Sequence, residues 1–317
     1  MDKNMFICFV AAFVTSLIIT YILIPVLRYL KFGQTIREEG PQWHNKKSGT
    51  PTMGGIGFLI VTVALTLIHT KNPAVKFGCI FAGLYGMIGF MDDGIKIILK
   101  RNLGLTEKQK LILQVLVSVI FLVVGVNKGY ITTTVSIPFT SIVWDLKWFY
   151  VIFMAIYMIA YTNAVNLTDG LDGLATSVTT VVGIFFIFCS IVLNSEVSIF
   201  AVALTGALIG FLVFNFYPAK VFMGDTGSLF LGGAVAIMAI LLKIELALIL
   251  AGIIYVIEAL SVVIQVAYFK KTGGKRLFLM APIHHHFEMK KMSEIAIVSM
   301  FTVITFVACI LAAFSVI

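Results

Sequence analysis

Residues 77–96 read FGCIFAGLYGMIGFMDDGIK, an apolar run that ends on two aspartates and a lysine. An apolar run that meets charges in this way is typical of a helix reaching the edge of a bilayer. If the helix continues past Phe90, Lys96 lies three and four residues after Asp93 and Asp92 and shares their face. Desolvated carboxylates are costly without compensation. The stretch therefore predicts a spanning helix whose end holds a divalent cation and a phosphate, although a solvated helix end with an ordinary ion pair fits it equally well.

The composition places the whole chain in a membrane. Of its 317 residues, 60% are hydrophobic and only 12% are charged, which is about half the share in a soluble domain. A spanning helix needs about 20 mainly apolar residues. Ten runs approach that length, so the sequence predicts one all-α, polytopic domain over residues 1–317 with about ten transmembrane helices. The runs are Met5–Leu27, Met53–His69, Phe77–Phe90, Leu111–Val126, Trp148–Tyr161, Leu174–Leu193, Val197–Phe216, Ser228–Leu242, Leu246–Phe269 and Ile295–Ile317.

Basic residues are shared unevenly between the two sets of loops. Seventeen of the 23 Lys and Arg residues fall in the loops after the first, third, seventh and ninth runs. Basic loops remain in the cytoplasm, so we expect that face to be cytoplasmic and both termini to lie outside. The excess suits anionic lipid headgroups or a phosphorylated substrate, and lipid attraction alone would explain most of it.

Two further basic stretches lie near the paired aspartates. Residues 46–55 read KKSGTPTMGG, which could form a phosphate-binding turn or a loop before a closely packed helix. The order differs from the phosphate loop of soluble nucleotide hydrolases. Farther on, Thr106 is a predicted N-cap, with Lys108 and Lys110 in the first turn of the next helix. Lysines there oppose the helix dipole and favour a nearby anion, although snorkelling to the headgroups also accounts for them.

Residues 163–174, NAVNLTDGLDGL, are the most informative loop. Asn163, Asn166, Asp169 and Asp172 recur at every third position, and the two Asp-Gly steps predict a helix end, a turn and a new helix. Local capping alone could explain a polar turn. Because four such groups exceed what a turn needs, we interpret this stretch as binding a base, a sugar or a hydrated cation.

Another carboxylate, Asp225, lies between Gly224 and Gly227 at the start of the eighth run. Phe222, three residues earlier, could stack on a flat ring, or it could be an ordinary aromatic residue of the membrane interface. The pattern adds a third carboxylate at the mouth of a predicted spanning helix.

The last basic loop contains three consecutive histidines, His284, His285 and His286. Three histidines in a row lack the spacing for one zinc ion. They could donate to phosphate or carry protons near neutral pH, or form an exposed tract. Within the ninth run, Glu258 and Gln265 are the polar anomalies. A membrane-depth acid usually faces a cavity or the bundle interior, so Glu258 is a second-rank functional candidate.

Taken together, these stretches resemble the polyprenyl-phosphate N-acetylhexosamine-1-phosphate transferase superfamily, and within it the bacterial phospho-N-acetylmuramoyl-pentapeptide transferases. The resemblance implies ten spans, termini outside, and a multi-pass protein of the bacterial cytoplasmic (inner) membrane. It rests on residues 49–55, Met91–Asp93 with Lys96, Asn163–Gly173, Asn215 with Pro218 and Phe222–Ser228, and Pro282–Glu288.

The resemblance implies an Mg²⁺-dependent phosphoglycosyl transferase. Such an enzyme moves phospho-N-acetylmuramoyl-pentapeptide from UDP-N-acetylmuramoyl-pentapeptide to undecaprenyl phosphate. The products are lipid I and UMP, in the first membrane step of peptidoglycan synthesis. Besides these substrates and the lipid bilayer, the resemblance implies a homodimer and no nucleic-acid partner. The implied work of the protein is positioning and charge neutralisation between two phosphates.

The resemblance also assigns roles to individual residues. Asp225 is the metal ligand, and Asp92 or Asp93 activates the lipid phosphate. Phosphate oxygens are bound by Lys47, Lys96 and Lys108. Asn215 gives polar support beside the metal. The uridine pocket comprises Asn166, Asp169, Gly170, Leu171 and Asp172, with Asn163 nearby and Phe222 on the uracil. The sugar-peptide side comprises Thr52, Gln265, His284, His285 and His286.

Two alternatives remain at this point. A sister transferase would move N-acetylglucosamine-1-phosphate to a polyprenyl phosphate, but that group usually interrupts the histidine run. A secondary transporter would use Glu258 and the aspartates as a coupling path. Transporters show internal repeats and midplane ionisable groups, whereas this sequence shows no repeat and keeps nearly all its acids near one face.

Overall fold

The computed structural model describes residues 2–30, 47, 49–99 and 103–317. Lys46 and Ser48 of the first basic loop, and Lys100 and Arg101 of the second, lie outside them. The described chain is helical apart from one small hairpin. In order, the elements are α1 (Lys3–Tyr29), α2 (Gly55–His69), α3 (Pro73–Ile98), α4 (Glu107–Asn127), β1 (Thr134–Ser136), β2 (Val143–Asp145), α5 (Phe149–Thr168), α6 (Leu174–Val192), α7 (Val197–Asn215), α8 (Gly224–Leu242), α9 (Glu245–Ala251), α10 (Ile253–Lys271), α11 (Ile283–Met289) and α12 (Glu294–Ala313).

The all-α, polytopic prediction is confirmed. Within the described ranges, nine helices are long and apolar enough to cross a membrane, and α2, with 15 residues, is the shorter apolar helix that answers the tenth predicted run. Two boundaries differ from the prediction. Helix α3 extends beyond its apolar run at both ends, since Asn72 caps its start and its last turns carry the aspartates. The ninth run divides into α9 and α10 at Gly252, where glycine favours a helix end.

Local signals in the sequence account for several helix ends. Thr106 and Gln109 form a reciprocal capping box that begins α4. The turn after Thr168 separates α5 from α6, as the Asp-Gly steps predict. The loop between α4 and α5 contains an antiparallel hairpin in which Val135 lies opposite Trp144.

Helix α8 is the centre of the bundle. In the most apolar stretch of α8, 89% of the residues are buried, whereas in the corresponding stretch of α10 only 22% are buried. Helices α3, α5 and α2 pack directly on α8. The approach of α3 is close because Gly89 has no side chain: a Cβ there would lie 2.0 Å from the carbonyl oxygen of Asp225. This packing places the C-terminal end of α3 against the N-terminal end of α8.

Candidate active site

Three carboxylates meet where α3 and α8 adjoin. Asp92 and Asp93 come from the last turns of α3, and Asp225 comes from the first turn of α8. One oxygen from each lies within 4.8 Å of the others, so the three could hold a metal ion. We call these residues the acid cluster. Carboxylate oxygens are the ligands that hard divalent cations prefer, and this donor set therefore fits Mg²⁺.

Lys96 compensates the charge of the acid cluster, as the helical spacing predicts. Its Nζ lies 2.5 Å from Oδ2 of Asp92, 3.7 Å from Oδ1 of Asp93 and 2.9 Å from Oδ2 of Asp225. Helix α3 continues through Ile98, which puts all these groups on one face. The alternative of a solvated helix end does not fit, because Asp92 and Asp93 are both buried.

The second lysine at the acid cluster is Lys110. Its Nζ lies 2.8 Å from Oδ2 of Asp225 and 3.5 Å from Oδ2 of Asp92. Lys108, which the resemblance favours, is exposed and lines an adjoining cavity of about 220 Å³. The helical spacing contains the signal that was missed. Lys110 lies four residues before the buried Gln114, whereas Lys108 precedes the exposed Ile112 by four.

The two aspartates of α3 have different surroundings. Both oxygens of Asp93 accept bonds from the start of α8: Oδ1 from the backbone N–H of Asp225 at 3.2 Å, and Oδ2 from the N–H and hydroxyl of Thr226 at 2.9 and 2.8 Å. Asp93 thus caps a helix to which it does not belong. Asp92 accepts one bond through Oδ1, from the N–H of Leu105 at 2.8 Å, and turns Oδ2 towards the lysines.

Asn166 and Asn163 are separated by the structure. The amide of Asn166 donates to Oδ1 of Asp225 at 2.8 Å and to the hydroxyl of Ser228 at 2.7 Å. The amide of Asn163 instead pairs with the side chain of Gln114, at 2.8 and 3.4 Å. Asn166 therefore contacts the acid cluster, and Asn163 joins α5 to α4.

The loop between α5 and α6, residues 169–173, passes beside the acid cluster. We call it the 169–173 turn. Removal from water, together with the carboxylates of Asp225 and Asp93, raises the pKa of Asp169 well above its usual value. Leu171 is buried, and Gly170 lies against the ring of His284. The turn thus offers mainly backbone groups and the carboxyl group of Asp169 to a ligand.

Asp172 is engaged within the protein. Its Oδ1 is 2.7 Å from Nζ of Lys47, and its Oδ2 accepts from the N–H of Ala219 at 2.8 Å. Glu294, at the start of α12, approaches Lys47 to 2.6 Å and accepts from the N–H of Asp172 at 3.3 Å. Burial opposes the charge on Lys47, but its hydrogen bonds to Asp172 and Glu294 raise its pKa. Lys47, expected at a phosphate, therefore clamps the 169–173 turn in this structure, and the sequence analysis missed Glu294 as its partner.

The segment before α8 is fixed by its backbone. Phe222 donates to the carbonyl of Pro51 and accepts from Gly54, each at 2.8 Å, and its side chain is half-buried. Asn215 is buried and donates to the carbonyl of Val221 at 3.0 Å. This bond holds the backbone of the segment just before Phe222. Thr52 is close by, with its hydroxyl 2.9 Å from the position that a Cβ on Gly224 would take.

The histidines lie on the short helix α11, and they are not an exposed tract. His284 is buried, with Nδ1 3.0 Å from Oε2 of Glu258. His285 lies 2.6 Å from Oε2 of Glu288. His286 accepts through Nδ1 from the N–H of Leu279 at 3.1 Å. The second-rank candidate Glu258 is therefore joined to the histidine segment.

Gln265 holds the chain that leads to α11. Its Oε1 accepts from the N–H groups of Leu277 and Phe278 at 3.1 and 2.9 Å, and its Nε2 donates to the carbonyl of Phe278 at 3.1 Å. The amide expected on the sugar-peptide side is thus used to shape the loop.

Comparison with known proteins identifies the family. A family described as Glycosyl transferase family 4 matches residues 76–243. A phospho-N-acetylmuramoyl-pentapeptide-transferase of Clostridium perfringens is 52% identical over 315 residues, covering 98% of each chain. One of Caldicellulosiruptor bescii is 46% identical over 315 residues, covering 98% of this chain and 97% of the relative. This chain belongs to the phospho-N-acetylmuramoyl-pentapeptide-transferase family.

Membership of the phospho-N-acetylmuramoyl-pentapeptide-transferase family decides between the alternatives left by the sequence. A relative of Clostridium kluyveri with the same name is 49% identical and covers 94% of this chain. Similarity at this level over nearly the full length favours the muramoyl enzymes over the sister transferases and over a transporter. The predicted family is therefore confirmed.

Proposed function

We propose that this chain transfers phospho-N-acetylmuramoyl-pentapeptide from UDP-N-acetylmuramoyl-pentapeptide to undecaprenyl phosphate, giving lipid I and UMP. The observation that carries the proposal is the acid cluster with Lys96 and Lys110, set at one end of a membrane bundle. Two anionic phosphates must meet in this reaction, and fixed cations with a metal site stabilise their charge.

In the reaction, an oxygen of the acceptor phosphate attacks the phosphorus that bears the sugar. The bond from that phosphorus to the bridging oxygen breaks, and the electron pair leaves with UMP. Mg²⁺, held by Asp225 with the neighbouring acids, would neutralise phosphate charge at this point. Lys96 and Lys110 would hold phosphate oxygens on either side. Both lysines already contact Asp225, at 2.9 and 2.8 Å, so their ammonium groups are pre-positioned.

Asp92 is the carboxylate that we assign to the acceptor phosphate. If the acceptor phosphate is still protonated, Asp92 accepts that proton. This assignment is supported by the different surroundings of the pair, because Asp93 spends both oxygens on the start of α8. Asp92 keeps Oδ2 among the lysine side chains, where a phosphate would be held.

We assign the donor nucleotide to the side of Asp225 that adjoins the 169–173 turn. The 169–173 turn and Phe222 would bound the uridine, with the ring stacking on uracil and the backbone reading its edge. His285 and His286 on α11, with Thr52, would face the sugar-peptide end. The cavity between α4 and α5 is lined by Lys108, Lys110 and Gln114, and we assign the lipid acceptor to it.

We also propose that the acid cluster faces the cytoplasm of a bacterial inner membrane, from the unequal distribution of basic loops. In a background without native cysteines, Lys290→Cys should resist an impermeant thiol reagent applied outside, while Thr133→Cys should react. The opposite labelling pattern would reverse the topology.

The activity itself is tested by direct assay. Purified protein is incubated with UDP-N-acetylmuramoyl-pentapeptide, undecaprenyl phosphate and Mg²⁺, and UMP and lipid I are measured. UDP-N-acetylglucosamine serves as the competing donor. Formation of lipid I with little product from the competing donor supports the proposal, and the reverse preference would replace it with the sister activity.

A further inference from the structure

Glu258 is a buried acid within α10 that the proposed reaction does not use. Its side chain is 0% exposed. Oε2 lies 3.0 Å from Nδ1 of His284, while Oε1 has no hydrogen-bond partner among the residues that the structure describes. Burying a carboxylate with a single partner is costly. A group kept in such a position therefore needs an explanation beyond packing.

His284 connects Glu258 to the 169–173 turn. The imidazole is 1% exposed, and its far edge lies against Gly170. A Cβ on Gly170 would lie 2.1 Å from Nε2 and 2.5 Å from Cε1, so only glycine permits this approach. Within the described part of the chain, Nε2 has no hydrogen-bond partner. The ring thus acts on the turn as a supporting surface.

The chain that leads to α11 is fixed to α10 by a second contact. Gln265 lies seven residues after Glu258, two turns along the same face of α10, and binds the backbone of Leu277 and Phe278. This contact fixes the chain before α11 but leaves the rotation of the His284 ring undetermined. The bond to Glu258 sets that rotation, because it fixes which ring nitrogen points towards α10.

We propose that Glu258 is a positioning residue that acts through His284 on the 169–173 turn. The carboxylate keeps a hydrogen on Nδ1 and leaves Nε2 bare, so that the unprotonated edge of the ring packs on Gly170. This resembles the way in which a carboxylate orients an imidazole in hydrolase triads. The inference rests on the proposed function, since it assigns the turn to the nucleotide.

The kinetic test compares Glu258→Gln and Glu258→Leu with the full-length enzyme. Glu258→Leu should raise the KM for UDP-N-acetylmuramoyl-pentapeptide and the Kd for UMP about tenfold, the lower end of the loss found when a partner that orients a metal-ligating histidine is removed. The KM for undecaprenyl phosphate should change little, and Glu258→Gln should fall between wild type and Glu258→Leu.

Glu245→Gln is the matched control. Glu245 is also fully buried and bonds one side chain, the hydroxyl of Tyr150 at 3.0 Å, but it lies at the far end of α8 from the acid cluster. It should change thermal stability without changing either KM. A rise of both KM values together in Glu258→Leu, or the same split in Glu245→Gln, would overturn the proposal.

Two measurements do not need turnover, so they separate failure of this inference from failure of the proposed activity. Nitrogen NMR of His284 should show hydrogen on Nδ1 alone in wild type, and a shift towards Nε2–H in Glu258→Leu. Two protonated nitrogens in wild type, or no change in the variant, would contradict it. In a double-mutant cycle on UMP binding, Gly170→Ala and Glu258→Leu should be less than additive; full additivity would show that the ring does not transmit the effect.

Discussion

The ammonium nitrogen of Lys110 lies 2.8 Å from Oδ2 of Asp225, the same oxygen that Lys96 approaches to 2.9 Å. Both ammonium groups also approach Asp92, so two lysines serve a cluster of three carboxylates. A divalent cation would bring this charge balance to the positive sign that two phosphates need. Asp225 therefore orients the two lysines, and we propose it as a metal ligand.

The first turn of α4 carries two lysines, Lys108 and Lys110, and Lys110 is the one that contacts the acid cluster. Lys110→Met should lower kcat/KM by about 100-fold or more, since it removes a charge fixed at the reacting phosphates. Lys108→Met should cost much less, because that side chain is exposed and does not lie at the acid cluster. UMP release under identical conditions measures both. A larger loss in Lys108→Met would mean that Lys108 moves into the site when substrates bind.

Asp225→Asn should abolish most of the Mg²⁺-dependent activity, with a loss of at least about 100-fold. The amide removes an anionic ligand that a hard cation requires, and it also places an N–H₂ group near two ammonium groups. An Mg²⁺ titration of lipid I formation measures the effect. The control is Asp145→Asn on the exposed hairpin. Normal turnover at normal Mg²⁺ concentration in Asp225→Asn would remove the metal role from this residue.

Phe222→Ala should weaken the binding of UMP and of UDP-N-acetylmuramoyl-pentapeptide by about 1–3 kcal/mol, by analogy with base stacking on aromatic side chains. The affinity for undecaprenyl phosphate should be nearly unchanged. Because the backbone bonds of Phe222 to Pro51 and Gly54 do not involve the ring, the fold should survive. Intact UMP binding together with weaker lipid binding would show that the two ends of the site have been exchanged.

The contact between His286 and Leu279 should be lost in acid. Burial and the charge of Lys290 lower the pKa of His286, so the folded state resists protonation. The contact is complete above the ordinary histidine pKa of about 6.5 and is lost as the pH falls through the lower folded value, because a protonated Nδ1 cannot accept from Leu279.

Amide hydrogen exchange measures this loss. After correction for intrinsic rates, exchange of Leu279 should accelerate in acid. Exchange of Phe278, which donates to Gln265 at 2.9 Å, should not. Equal acceleration of both amides would point to opening of the whole loop and not to the titration of His286.

The architecture and part of the candidate site follow from local features of the sequence. The lengths of the apolar runs predict the spanning helices. Helical spacing alone predicts that Asp92, Asp93 and Lys96 lie together. The remainder depends on which helices are neighbours. Lys110 reaches Asp225 only because α4 packs beside α3, and Glu294 reaches Lys47 across 247 residues of chain. Periodicity along one segment contains no information on such partners.

The capping of α8 by Asp93 bears on how the protein is made. Helix α3 emerges from the ribosome well before α8, and until then Asp93 lacks all three of its donors. An ionised carboxylate without donors is poorly tolerated in hydrocarbon, so the end of α3 should wait at the level of the headgroups. Insertion of α8 should then supply these donors together with Asp225. Until that point, the acid cluster of a nascent chain lacks both its third carboxylate and the bonds that hold Asp93.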